Sequence, residues 1–517
     1  MTKRPCPTLM IQGTASDVGK SLLVTALCRI LTNDGFRVAP FKSQNMSLNS
    51  HVTPDGKEIG RAQAVQADAC RIPATTDMNP ILLKPTGERR SQVVVHGKPL
   101  RDYDAIEYRE SYLPTAERFV REALDRLRAA HDVVVLEGAG SPAEVNLRDR
   151  DIVNMRAAGW ADAPVVLVAD IDRGGVFASI VGTMAILRPD ERDRVKGFII
   201  NKFRGDPSLL TSGLDWLERE TGKPVLGVVP MLPDVGLEDE DSASLDEKLR
   251  RRAQSKDAAL DVAVLRLPRM SNFTDVDALS GEPDVAVRFV SRVEELGQPD
   301  AILIPGTKNT PLDLRALQER GLDRAITAYA AAGGRVVGIC GGYQMLGLTL
   351  SDPHGVESSE SPVARIDGLG LLPADTAYAL EKRTERVAGA FAGWDEGTET
   401  SAGIAIEGYE IHMGTTTFRE PVRPLFRLHD GTTDGAAMPG GRVWGTYVHG
   451  IFDNDDFRRG WLNRIRAERG LPSLAVGYRH REAREAAFDR LAAHVRAHVD
   501  MEAIYAMIGI SRSEAME

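Results

Sequence analysis

Cysteine is scarce in this chain: Cys6, Cys28, Cys70 and Cys340 are the only four among 517 residues, widely spaced and without a C-x-x-C pair. That spacing excludes a disulfide framework and a zinc knuckle. Net positive charge is lacking as well. The formal charge of −10 argues against a nucleic-acid-binding surface as the main business, because such a surface must displace phosphate counterions. No apolar run approaches the roughly 18 residues of a membrane span, and the amino terminus reaches Gly13 before a signal-like apolar region develops. The expectation is a cytoplasmic protein of small-molecule chemistry, without nucleic-acid or membrane partners; a homo-oligomer is left open.

What is present suits a large core. The composition, 43% hydrophobic and 27% charged, is that of an ordinary globular protein, and the length predicts two to four domains, two of them large. Short β-branched runs alternate with helical segments: Thr8 to Ile11, Val38 to Phe41, Val133 to Glu137, Val165 to Ala169, Gly197 to Asn201 and Val225 to Val229. A second series follows at Val262 to Leu267, Val285 to Val290, Ala301 to Ile304 and Val336 to Ile339. This pattern predicts α/β folding, two domains each built on a mainly parallel sheet flanked by helices. A charged stretch separates them, which gives a first domain over 1–232, a linker over 233–259 and a second domain over 260–517 with a C-terminal helical extension. There Phe488, Leu491, Val495 and Val499 recur at helical spacing and are expected to pack on their own domain.

The first strand runs into Gly13-Thr14-Ala15-Ser16-Asp17-Val18-Gly19-Lys20-Ser21 and then a helical stretch. Such a loop aims backbone N–H groups and a helix N-terminus at one point, where Lys20 reaches outer phosphates and Ser21 ligates magnesium. Thr14 stands where the usual G-x-x-x-x-G-K-[ST] pattern has its first glycine, so this is a variant of the motif. Thr14, Asp17, Val18, Gly19, Lys20 and Ser21 are the candidate ATP-binding residues. Glu137, at the end of a buried strand, is the candidate second magnesium ligand, with Asp170 and Asp172 as alternatives. The loop, the EGAG strand end and the Asn-Lys pair in FIINKFRGD together resemble the dethiobiotin synthetase family over roughly the first 230 residues. The resemblance implies carboxylate activation with ATP and places Asn201 near the adenine.

In the second series, Val336 to Ile339 runs into Cys340-Gly341-Gly342-Tyr343-Gln344, a strand, a glycine-flanked elbow and a helix. An exposed thiol at such an apex is a candidate nucleophile, and His449 in WGTYVHGIF is its candidate proton partner. His412, in EGYEIHMG, either lines the same pocket or buries an aromatic edge, while Cys6, Cys28 and Cys70 are expected to be small buried hydrophobes. GICGGYQMLG, IPGTKNT and YVHG resemble the class I glutamine amidotransferase domain over about residues 260 to 460. That likeness implies attack by Cys340 on the glutamine amide, proton transfer by His449, a substrate contact from Gln344, and an oxyanion hole near Gly306 and Gly341. One departure stands out: Ile451 occupies the position of the usual glutamate, a pattern of the cobalamin-pathway branch, and leaves a third catalytic residue unassigned.

A phosphate cradle followed by a glutaminase on one chain is the order of the cobyrinate- and cobyrate-amidating enzymes. FKSQNMSLNS, EIGRAQAVQADAC and MNPILLKP are similar to segments of the cobyrate-forming members. This implies ATP- and glutamine-dependent amidation, through acyl phosphates, of the b, d, e and g carboxylates of adenosylcobyrinic acid a,c-diamide. The corrinoid is then the partner molecule and magnesium the cofactor. Lys42, Gln44, Asn45 and Lys84 are candidate substrate contacts; Lys42, Lys84, Arg89 and Arg90 either counter an acidic substrate or are solvated surface charges. The alternatives are an a,c-diamide synthase and a P-loop regulatory ATPase whose thiol domain is a non-catalytic module.

Overall fold

The computed structural model describes residues 6–86, 90–104, 108, 113–232, 235–238, 258–357, 364–394 and 403–511. Arg89 and most of the expected linker lie outside these residues.

Six parallel strands form the first sheet, in the order Val225–Pro230, Val195–Phe203, Val165–Asp170, Thr8–Gly13, Val133–Glu137, Val38–Phe41. Each matches an expected run to within about two residues, because a strand buried on both faces must be apolar throughout. The period of two sorts the central strand's side chains between two cores. Leu9 and Ile11 join the core under the helix Lys20–Asn33, while Met10 joins the one under Leu113–Ala130 and Val176–Ile186.

The second domain repeats this plan. Val285–Val290, Leu260–Leu265, Ala301–Ile304, Val336–Ile339 and Val443–Thr446 lie parallel, and Ala436–Ala437 adds an antiparallel edge. Beside it lies a sheet dominated by the long antiparallel pair Ala374–Phe391 and Ala405–Phe418. Most of that pair is missing from the expected strands, and its composition shows why: the middle of Ala374–Phe391 is charged and largely exposed, so no apolar alternation marks it. Among the described residues no helix is long and apolar enough to cross a membrane.

The C-terminal helices differ from expectation. Phe488, Leu491, Val495 and Val499 belong to the core of the first domain, with Leu9, Ile11, Leu23 and Leu27. The helix His480–His498 lies along Lys20–Asn33, where the buried Arg29 bonds Glu485 at 2.6 Å and Asp489 at 2.8 Å. Helical spacing records that a face is buried but not which domain buries it. The chain thus returns across the domain boundary and straps the second domain to the first.

A buried ion cluster crosses the same boundary. Lys84 and Lys382 each bond one oxygen of Glu58, whose side chain is fully buried. Burial works against the Glu58 charge, yet the two ammonium groups outweigh it and hold the carboxyl well below its usual range. Burial likewise pulls the Lys382 pKa down to about 8. Lys84 is therefore a buried partner of Glu58 rather than a solvated charge, and Lys382 is the cation that reaches the same carboxylate from the second domain. Glu58→Gln would strand two buried ammonium groups, and we expect it to cost about 3–5 kcal/mol of stability in chemical denaturation. An unchanged denaturation midpoint would contradict this account.

Candidate functional site

The candidate phosphate-binding loop leaves the carboxyl end of Thr8–Gly13, where an open parallel sheet presents ligands. Gly19 caps the following helix at φ 95°, and a Cβ there would meet Asn201 Nδ2 at 2.2 Å. Asn201 uses that same nitrogen to donate to the Val18 carbonyl at 2.8 Å, so it closes the loop from beneath. Lys20 lies across the loop, donating to the carbonyls of Ala15 at 2.9 Å and Gly140 at 3.2 Å. The Thr14 N–H is tied to the Val168 carbonyl at 2.9 Å, and Lys202 donates to the Asp17 carbonyl.

Glu137 is the focus of this centre. Its Oε1 accepts from Ser21 Oγ at 2.8 Å and Lys42 Nζ at 2.9 Å, and its Oε2 from Gln66 at 2.5 Å. Burial disfavours the charge, but Lys42 together with the Gln66 and Ser21 donors holds the carboxyl below its ordinary range. The alternatives are otherwise engaged, Asp170 by Lys202 at 2.9 Å and Asp172 by Arg204 at 2.7 Å. Of the expected substrate contacts, only Lys42 touches this centre. Gln44 accepts from Tyr108, Asn45 donates to Gln63 at 3.2 Å, Lys84 serves the Glu58 cluster, and Arg90 opens the strand Arg90–Val95.

Cys340 sits at the turn from Val336–Ile339 into Gly341–Met345 with φ 52°, left-handed backbone that a side chain rarely adopts. The turn is this tight only because position 342 is glycine; a Cβ there would meet the Ile304 carbonyl oxygen at 2.0 Å. Gly341 packs against Thr307, and Gly306 lies beside the His449 ring, so the two expected oxyanion loops converge. Gln344 is buried, its Oε1 accepting from Thr310 at 3.0 Å and Tyr378 at 2.8 Å. His412 stacks on Tyr447 and bonds Glu410 at 3.1 Å, which accounts for it as a packed residue. Cys28 and Cys70 are core residues; burial raises the Cys28 pKa well above its ordinary value and that of Cys6 to about 11.

His449 Nδ1 lies 2.7 Å from Asp275 Oδ2, and the other oxygen of Asp275 accepts the Gly450 N–H at 2.9 Å. Both side chains are almost completely buried. Burial works against a charged ring, but Asp275 and Cys340 outweigh it and push the His449 pKa up to about 10. The arrangement is a thiol beside a strong base that a carboxylate orients.

Comparison with known proteins accords with this geometry. Residues 9–245 match the CobQ/CobB/MinD/ParA nucleotide binding domain, and residues 261–457 the CobB/CobQ-like glutamine amidotransferase domain. The cobyric acid synthase of Geobacillus thermodenitrificans (strain NG80-2) is 52% identical over 504 residues, which cover 97% of this chain and 98% of that protein. The chain belongs to the cobyric acid synthase family. The relative from Syntrophobacter fumaroxidans (strain DSM 10017 / MPOB) is 49% identical over 97% of this chain and 98% of its own. That from Desulforamulus reducens (strain ATCC BAA-1160 / DSM 100696 / MI-1) is 50% identical over 98% and 99%. The family is one of glutamine-hydrolysing amidating ligases, and this chain is a carbon–nitrogen ligase with glutamine as its nitrogen donor.

The sequence left a third residue of the candidate thiol site open, and Ile451, fully buried in a short 3-10 turn, does not supply it. Asp275 does so geometrically from 174 residues upstream. In the sequence it is one of two acidic residues in SNFTDVDALS, without glycine punctuation or a strand end to distinguish it. Asp275→Asn would keep the shape but lose the charge that raises the His449 proton affinity. We expect glutamine hydrolysis to fall about a hundredfold, and the limb of its pH profile governed by His449 to move to lower pH. Wild-type rates and limbs in this variant would remove Asp275 from the site.

Proposed function

We propose that this chain converts adenosylcobyrinic acid a,c-diamide to adenosylcobyric acid, amidating the b, d, e and g carboxylates through acyl phosphates with ammonia from glutamine. One observation carries the reading: a thiol at a strained elbow is paired with a buried histidine–aspartate couple, which a non-catalytic module would have no reason to maintain.

In this reading Cys340 attacks the glutamine amide carbon, the C–S bond forming as the carbonyl electrons move to oxygen, near the Gly306 and Gly341 backbone amides. His449 holds the thiol proton and passes it to the departing nitrogen, so ammonia leaves and a glutamyl thioester remains. Water then releases glutamate and restores the thiol. Gln344 contacts the bound glutamine. At the other centre Lys20 and the N–H groups of residues 15–21 hold ATP, and Asn201 supports the loop on its adenine side. Phosphoryl transfer to the substrate carboxylate makes a carbon electrophile that ammonia attacks, expelling phosphate.

Ser21 Oγ and Glu137 Oε1 are two hard oxygen donors 2.8 Å apart, a pair that suits magnesium, which takes few protein ligands and completes its shell with water and phosphate. When bound there, the ion would neutralise charge on the transferring phosphoryl group. Lys42, already beside Glu137, is the basic residue placed to meet an acidic substrate at this centre.

The two chemistries should separate. Cys340→Ser should lose glutamine-dependent amidation by at least about a hundredfold and keep amidation from high ammonium salt at matched pH. Lys20→Ala should lose both while remaining folded. Each acid-to-amide step is read by mass spectrometry of the corrinoid. Loss of ammonia-dependent activity in a folded Cys340→Ser protein would contradict the division of labour.

A further inference from the structure

Besides Cys340, three groups contact the His449 ring, and two of them are held from the other domain. Asp275 takes Nδ1. Opposite Nε2, at 3.3 Å, stands Asn272 Nδ2. The orientation of that amide is fixed because Asn272 Oδ1 accepts the Ser50 backbone N–H at 2.9 Å, leaving the NH2 end to face the ring. An NH2 group at Nε2 favours the ring with a lone pair there, the tautomer that carries its proton on Nδ1 toward Asp275. The neighbouring Phe273 N–H donates to Asn49 Oδ1 at 3.3 Å, so the short turn that carries Asn272 and Asp275 is pinned twice by Asn49 and Ser50.

The third group is Tyr409. Its ring stacks on His449 with centroids 5.1 Å apart and 18° between planes, and the two backbones exchange hydrogen bonds of 2.8 and 3.2 Å. The Tyr409 hydroxyl accepts from Arg61 Nη2, and Tyr409 is itself buried. Arg61 opens the helix Arg61–Ala69 of the nucleotide-binding domain, and Gln66 of that helix donates to Glu137. One short helix therefore touches both centres, through Tyr409 at one end and Glu137 further along.

We propose that the 49–61 segment of the nucleotide-binding domain is a working part of the glutaminase centre, with Asn272 and Tyr409 as positioning residues that set the tautomer and the plane of His449. The inference rests on the glutaminase reading of Cys340 and His449 and adds to it that glutamine hydrolysis requires the assembled two-domain chain. The charged and titratable groups about this stacked pair are Asp275 and Cys340 at the His449 ring, and Arg61 and Asp453 at Tyr409.

The test uses the full chain and follows three readouts: glutamate release from glutamine, ammonia-dependent amidation, and the pH profile of glutamate release. Asn272→Asp keeps the size of the side chain and its bond from Ser50 but turns a carboxylate oxygen toward Nε2. A carboxylate there stabilises the protonated ring, so the limb governed by His449 should move to higher pH, opposite to the shift expected for Asp275→Asn. Tyr409→Phe keeps the stacked ring and removes the acceptor for Arg61, while Arg61→Met removes the donor. Both should lower kcat for glutamine hydrolysis by at least about fivefold, the low end of ordinary coupling between sites, with the glutamine KM and ammonia-dependent amidation retained. A merely structural role would lower every activity together and leave the limb in place, and that outcome overturns the proposal. So would wild-type kcat in both Arg61→Met and Tyr409→Phe. A wild-type chain that releases no glutamate from glutamine would instead overturn the glutaminase reading, so the two failures are distinct.

Discussion

A carboxylate taken out of water needs cations and N–H or O–H donors to replace its lost hydration, and three such groups organise this molecule. Glu137 collects Ser21, Lys42 and Gln66 at the nucleotide centre. Glu58 collects Lys84 and Lys382 across the domain boundary. Asp275 collects the His449 ring and the Gly450 amide. Each carboxylate draws its partners from segments far apart in the chain, and meeting that requirement is what brings those segments together.

Two parallel sheets supply the scaffold for these meetings. In each, a central strand ends in a loop that leads into a helix, and the functional side chains gather at that carboxyl edge. The loop after Thr8–Gly13 brings Lys20 and Ser21 toward Glu137, which ends the neighbouring strand. The elbow after Val336–Ile339 brings Cys340 beside the loops that follow Ala301–Ile304 and Val443–Thr446, its two neighbours. Buried strands fix these loops rigidly, which suits groups that must be oriented before a substrate arrives.

Much of this was legible because the relevant signals are local. A parallel strand buried on both faces is apolar along its whole length, and ten such runs marked the two sheets. Gly19-Lys20-Ser21 and Gly338-Ile339-Cys340-Gly341-Gly342 each sit on a strand-to-helix turn, so their chemistry and their backbone requirement occupy the same few residues. The antiparallel pair Ala374–Phe391 and Ala405–Phe418 was less legible, since its exposed charged middle hides the alternation. Phe488 and its helical neighbours showed a buried face without showing what buries it.

By itself, then, the sequence determined the α/β class, the two strand series, the phosphate loop and the thiol elbow, because each is written in contiguous residues whose backbone geometry and chemistry coincide. The tertiary structure alone decided which acid meets Ser21, that Lys382 reaches Glu58 across the domain boundary, that the C-terminal helix lies on the first domain, and that Asp275 rather than residue 451 bonds His449. Those pairings join residues from 116 to 466 positions apart. Over such separations no spacing rule operates, and the partner is selected by the three-dimensional cost of leaving a charge or an apolar face unsatisfied.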